Sequence, residues 1–183
     1  MRCRTFASLL LALVVLMMTT GCGQPPVIEV DQSDANPLKE NMINANRVVA
    51  QSESTQIEAY LQRHGWKATP LTCGAYYQVQ EQGNGMDIAP DDRVAVSYHL
   101  ETLDGTPIYK YQTDTLTVGR REQTLALDEL LQQTDYHSKV CMVAPSASAY
   151  GVVGDGDAVS GRMVIVYRIT DIVKIDNERI TNK

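Results

Sequence analysis

The chain has 183 residues, with 16 Lys and Arg against 22 Asp and Glu for a net charge of −6; 44% of it is apolar and 6% aromatic. That length suits one core with a modest appendage, and the acidic balance argues against nucleic acid and anionic membrane surfaces as partners. Tyr is the main aromatic, at nine residues, and the lone Phe is Phe6, so the chain beyond the N-terminal apolar run has none.

Met1-Arg2-Cys3-Arg4 is basic, and no acidic residue precedes Glu29. Phe6 to Met18 is apolar except for Ser8. A bilayer-spanning helix needs roughly 20 apolar residues; this run is shorter and has the length of the apolar region of a secretory signal. Thr19-Thr20-Gly21-Cys22 resembles the lipobox of bacterial lipoproteins, where small residues precede a cysteine that is acylated and the chain is cut before it. Thr19 departs from the aliphatic residue preferred there. The resemblance implies a signal peptide over 1–21, a lipid on Cys22, and a protein of the cell envelope, anchored to the outer membrane and facing the periplasm or the surface. The alternative is an ordinary secretory signal with Cys22 incidental.

Export would remove Arg2 and Arg4, so 16 less two leaves 14 cations against 22 acids, a net charge of −8. Cys73 and Cys141 would then stand in an oxidising compartment. Either they pair, closing a long loop that contributes about 2–4 kcal/mol, or they are two buried thiols. There is no CxxC to support redox catalysis.

Gly23 to Ala35 carries two prolines and no period, which reads as a tether over 22–35. Asn36-Pro37 reads as a helix start. Leu38, Met42, Ala45, Val48 and Val49 follow at helical spacing. Gln51 to Ser54 weakens the stripe, Thr55 and Glu58 have capping-box spacing, and Ile57, Tyr60 and Leu61 form a second stripe. The segment 36–66 is therefore one long helix with a soft middle or two short ones, ending at Gly65 with Trp66 folded back on Leu61.

From Cys73 the period becomes two. Tyr76 to Gln80 reads as a strand, and Gly83-Asn84-Gly85 as a turn. Arg93 to Leu100 puts Val94, Val96, Tyr98 and Leu100 on one face. Asp104-Gly105 is a hairpin turn, and Pro107 to Tyr111 and Thr115 to Val118 read as short strands. Leu125 to Gln132 is a short amphipathic helix. Val140 to Ala144 is a strand, Pro145 to Gly161 a glycine-rich loop, and Met163 to Ile172 a final strand. The pattern predicts an α+β fold: about five antiparallel strands wrapped on one short helix, preceded by an N-terminal helix.

With these elements in order, residues 92–172 resemble the FKBP-type peptidyl-prolyl cis-trans isomerase domain. The resemblance rests on Val96-Ser97-Tyr98, Leu103-Asp104-Gly105-Thr106, Leu116-Thr117-Val118-Gly119, Ala149-Tyr150-Gly151 and Val164-Ile165-Val166-Tyr167-Arg168-Ile169. The preceding helix, with Gly65-Trp66 and then Gly74 to Gly85, looks like the lead-in of exported FKBP-type lipoproteins of Bacteroidetes. The implied architecture is a curved antiparallel sheet around the short helix with a shallow apolar pocket between them, over 73–175, followed by a tail at 176–183. The implied partners are proline-containing polypeptides, and the implied role is assisting the folding of exported proteins.

Carried over residue by residue, the resemblance makes Tyr98 the wall tyrosine and Tyr150 the hydroxyl that reaches the substrate carbonyl. These two are the candidate catalytic residues. The candidate binding residues are Ile108, Tyr109, Glu122, Thr124, Leu127, Val159 and Tyr167. Several depart from the family pattern. Ile108 replaces a Phe, Tyr109 the pocket Asp, Leu127 the tryptophan floor and Tyr167 the floor Phe. Asp114 stands near another pocket Phe. Losing a large aromatic floor removes about 1–3 kcal/mol of apolar contact, ten- to a hundredfold in rate if all of it acts in the transition state. Weak isomerase activity is one expectation. Proline-chain binding with little turnover, as by a chaperone, is a second, and a structural lipoprotein recruiting a partner through its helix is a third.

No cofactor is expected. Gly151 to Gly156 lacks the Lys-Ser/Thr of a phosphate loop, and His64, His99 and His137 are scattered with no ligand spacing, so no metal is expected either.

Overall fold

A computed structural model describes residues 32–175. The signal segment, Cys22, the tether up to residue 31 and the tail at 176–183 lie outside the described residues. By contacts the chain falls into two units, 1–41 and 42–183. Of the first, only the start of a helix is described, and apart from that start all that follows concerns the second.

The first described element is one continuous helix, α1, Gln32–His64. It passes through Pro37 rather than starting there. The Gln51–Ser54 stretch does not break it. Thr55 turns its hydroxyl back to the Gln51 carbonyl (3.0 Å) instead of capping a new helix. The first expected stripe is not buried, since Met42 and Val48 are exposed, but the second is: Ile57 and Tyr60 are buried, with Glu53 beside them. Gly65 ends the helix in the left-handed conformation (φ +63°), and the Trp66 N–H returns to the Leu61 carbonyl at 3.0 Å, as the Gly-Trp pair predicts.

Six antiparallel strands form a single sheet: β1 (Thr69–Pro70), β2 (Tyr76–Glu81), β3 (Arg93–Glu101), β4 (Pro107–Thr117), β5 (Lys139–Ala144) and β6 (Ile165–Lys174). Their order is β1-β2-β5-β6-β3-β4. The sheet thus has one strand more than expected, a two-residue edge strand that a period-two search cannot see. Pro107–Thr117 is one strand, not two, because β3 is long enough to pair along it from Arg93↔Thr117 to Glu101↔Pro107. The Thr102–Thr106 hairpin closes as predicted, with Gly105 at φ +86°. Gly83 serves as more than a turn residue: a Cβ there would sit 2.0 Å from the Tyr136 carbonyl, so only glycine lets the backbones approach.

The two faces of the sheet have different covers. On one, Val94, Val96, Tyr98, Leu100, Met142 and Tyr167 pack with the short helix α2, Leu125–Leu131, through Ala126, Leu127, Leu130 and Leu131. On the other, Val143, Val164 and Val166 pack with Ile57 and Tyr60 of α1. Strand alternation separates the two sets, so β6 faces α2 with Tyr167 and α1 with Val166. The registers of β3 with both neighbours shift between Ser97 and Leu100. Such irregularities bend strands, and this one sits at Tyr98. Cys73 and Cys141 are free thiols; Arg168 donates to the Cys141 sulfur at 3.5 Å.

Candidate functional site

Three tyrosines from three elements meet between sheet and α2. Tyr98 comes from β3 and Tyr167 from β6, with ring centroids 5.7 Å apart and planes inclined by 53°. Tyr150 comes from the β5–β6 connection, and its hydroxyl interacts with those of Tyr98 and Tyr167. The Tyr98 hydroxyl donates to the Asp114 carboxylate of β4. The Tyr167 hydroxyl shares a hydrogen bond (3.1 Å) with Thr124, whose side chain also caps α2 by accepting from the Leu127 N–H at 3.4 Å. Asp114, Tyr98, Tyr150, Tyr167 and Thr124 thus form one polar chain inside an apolar shell.

Burial pushes all three phenols up, those of Tyr98 and Tyr167 well above the ordinary value. The nearby Asp114 carboxylate adds to the rise for Tyr98 and Tyr150. All three therefore remain protonated donors at neutral pH. The Tyr98 proton is committed to Asp114, and Thr124 and Tyr167 can pass theirs along the chain toward the Tyr150 oxygen, so the Tyr150 proton is not needed inside the cluster. Tyr150, half-buried, is the member with both a proton and access to the outside.

Local structure fixes Tyr150. The 3-10 turn Ser146–Ser148 carries the chain off β5. The Ser146 carbonyl accepts from Gly151 N (2.7 Å), and Gly151 takes the left-handed conformation (φ +68°). Ser146 is itself held by α1: Glu53 accepts from the Ser146 N–H (2.9 Å) and hydroxyl (2.6 Å). Beyond Tyr150 the flap 152–161 returns on itself, with Gly154 N donating to the Tyr150 carbonyl at 3.1 Å.

The structure brings Tyr98, Thr124, Leu127, Tyr150, Val159 and Tyr167 into one cluster, with Ile108 and Tyr109 half-buried against it. Glu122 is apart: it is exposed, and its carboxylate accepts from Thr117 N (2.8 Å) at the end of β4. Tyr109 reaches the flap, where its hydroxyl donates to Asp155 (2.6 Å) and accepts from Ala158 N (3.3 Å). The bond to Asp155, with burial, pushes the Tyr109 phenol up to about 12.

Sequence reasoning missed the roles of Asp114 and Asp155. Asp114, five residues beyond Tyr109 on the same strand, is the acid that Tyr98 meets. The signal was present as an acid on the inward face of a strand, where an unpaired carboxylate is costly.

The deep layer is closely filled. Tyr98 is 4% exposed, Leu127 1% and Tyr167 0%, so what is open at the cluster is its rim of Tyr150, Ile108 and Tyr109. A cavity of about 660 Å³ lies elsewhere, against α1. Among the described residues no three His, Cys, Asp or Glu are grouped to hold a metal, and no helix is long and apolar enough to cross a membrane. What the cluster offers chemically is an apolar wall with one accessible hydroxyl donor, not a nucleophile or a general base.

No family model matches the chain, and no curated protein does. Among solved structures it is similar to a peptidyl-prolyl cis-trans isomerase from Pseudomonas syringae pv. tomato, with a TM-score of 0.56 and 22% identity over 71% of this chain and 93% of that one. It is also similar to AtFKBP13, with a TM-score of 0.54 and 16% identity over 60% of this chain and 100% of that one. The fold is therefore that of FKBP-type isomerases: an antiparallel sheet wrapped on a short helix, here preceded by a long one.

Proposed function

On that fold, we propose that the protein is a peptidyl-prolyl cis-trans isomerase of the bacterial cell envelope with a weak site, acting on proline-containing polypeptides during the folding of exported proteins. The envelope assignment rests on the signal-like segment 1–21 and on Cys22 as the lipid-bearing residue. The activity rests on one observation: three tyrosine hydroxyls converge in an apolar shell, and only Tyr150 has a proton free to offer outward.

Rotation about a peptide bond has a barrier of ~18–20 kcal/mol because it breaks amide resonance. X-Pro bonds exchange in tens of seconds, slow enough to limit folding. Catalysis needs no covalent step. Removing water from the amide favours the less polar twisted form, and a donor on its carbonyl holds that form. Ile108 and Tyr109 at the rim supply the dry wall, backed by the buried Leu127, Val159 and Tyr167. Tyr150 supplies the donor, with the Thr124 backbone N–H as a second. Tyr98 positions Tyr150 through its bond to Asp114.

The filled deep layer favours a second reading, a module that grips proline-containing chains at the Tyr150 rim without turning them over. The assay that separates the two is isomerisation of Ala-X-Pro-Phe peptides with several X residues. Acceleration over buffer for at least one X is expected. No acceleration for any X rejects the isomerase reading and leaves the binding one.

A further inference from the structure

The cavity of about 660 Å³ lies within the second unit, between the C-terminal half of α1 and the connection from β5 to β6. Val49, Ala50 and Ile57 of α1 form one wall; Tyr76, Pro145 and Val152 form the other. Its volume falls in the ~300–1,000 Å³ range of small-molecule sites, which combine apolar walls with a few placed polar groups.

Two charged side chains line it, in opposite situations. Glu53 is 5% exposed, and both of its oxygens accept from Ser146. Its charge is thus committed to the loop. Arg162 is exposed at the rim and makes no ion pair or side-chain hydrogen bond with any described residue. Its backbone is nevertheless fixed. Arg162 holds φ +59°, uncommon for a residue with a long side chain. Its N–H donates to the Gly151 carbonyl at 2.8 Å. Gly161 before it passes so near the Val152 carbonyl that a Cβ would stand 2.0 Å away. A strained residue is thereby clamped to the very wall, Gly151-Val152, that closes the cavity.

We propose that this cavity is a second binding site, separate from the tyrosine cluster, for a small aliphatic carboxylate. The chain lies among Val49, Ala50, Ile57, Tyr76 and Val152, and the carboxylate takes the guanidinium of Arg162. Charge complementarity selects this class. A cationic ligand meets Arg162 as a like charge while Glu53 is already occupied. A neutral one leaves the planar donor fork unused, whereas a carboxylate fills it in bidentate fashion.

Calorimetric titration of the full chain with octanoate, and with octanol as the uncharged control, tests this. Octanoate is expected to bind at one site and octanol roughly tenfold or more weakly. Arg162→Asn retains a residue that tolerates the left-handed backbone and should weaken octanoate by the same factor. Ala50→Trp, at an exposed helix position on the cavity wall, should abolish binding by filling the space. Absence of octanoate binding, equal affinity for octanol, or full affinity in either variant overturns the proposal.

Discussion

The Tyr98 hydroxyl donates to the Asp114 carboxylate along a diagonal of the β3–β4 ladder, in which Gln112 opposes Tyr98 and Val96 opposes Asp114. This bond spends the Tyr98 proton, aligns the phenol and leaves Tyr150 as the outward donor. Diagonal pairs on one face of a sheet lie within reach of aromatic side chains, which is how Tyr98 meets an acid two residues from its direct partner Gln112.

A double-mutant cycle measures the bond. Tyr98→Phe and Asp114→Asn should each destabilise the protein, with a coupling of about 1.5–3 kcal/mol for a hydrogen bond to a charged group. Urea denaturation of the four proteins gives the value. Additivity within ~0.5 kcal/mol would show that the pair contributes nothing.

The flap is latched by Tyr109. Tyr109→Phe removes the donor to Asp155 and the acceptor for Ala158 N. Amide exchange at Ala158 and Val159 should rise by about tenfold, equivalent to ~1.4 kcal/mol, while exchange in β3 stays unchanged. The Asp155 carboxyl is opposed by burial, but bonds from Tyr109 and from the N–H groups of Asp157 and Val159 outweigh it and hold its pKa below the usual range. The latch is therefore complete at neutral pH and loosens only as acid protonates Asp155.

Alternation made β3 legible, and with it the inward placement of Tyr98, since a period of two admits one assignment of faces. The Asp104-Gly105 turn and the Leu125 helix were legible for similarly local reasons: a hairpin dipeptide, and a short amphipathic run. The buried face of α1 was legible only in part, through Ile57 and Tyr60. Leu38, Met42 and Val48 have the right spacing and stay exposed, while Glu53 goes inward, because its partner Ser146 is 93 residues away. The same limit hid Asp155 behind Tyr109 and β1 behind its two-residue length. Periodicity reports what a segment does alone; these features exist only once distant segments meet.

Glu53 illustrates the difference. Glu53→Ala leaves the Ser146 N–H and hydroxyl buried without their acceptor, a loss of about 2–4 kcal/mol. Glu53→Gln should fall between, since the amide keeps one acceptor but turns a donor toward the second. Thermal melts read both, and a Glu53→Ala protein as stable as the parent would contradict the contact.

Acid should weaken the link between β6 and the turn before β3. Bonds from Lys174 (2.7 Å) and Tyr136 (2.7 Å) hold the Asp92 carboxyl down at about 2. A carboxyl depressed in the folded state stabilises fully above its unfolded pKa of ~3.9 and loses that contribution as pH falls toward 2. After allowance for solvent screening the contribution is about 1–2 kcal/mol. Stability measured from pH 5 to pH 2 should fall less steeply in Asp92→Asn, and an unchanged slope would assign the acid sensitivity elsewhere.

The account depends most on the outward hydroxyl of Tyr150, so the decisive measurement compares Tyr150→Phe with the parent protein in prolyl isomerisation of one peptide. The substitution removes a single oxygen, keeps the ring in place and should leave the folded structure intact. A drop of about tenfold or more in kcat/KM is predicted, with little change in the melting temperature. Undiminished isomerisation by the folded variant would contradict the assignment of the tyrosine cluster as the site.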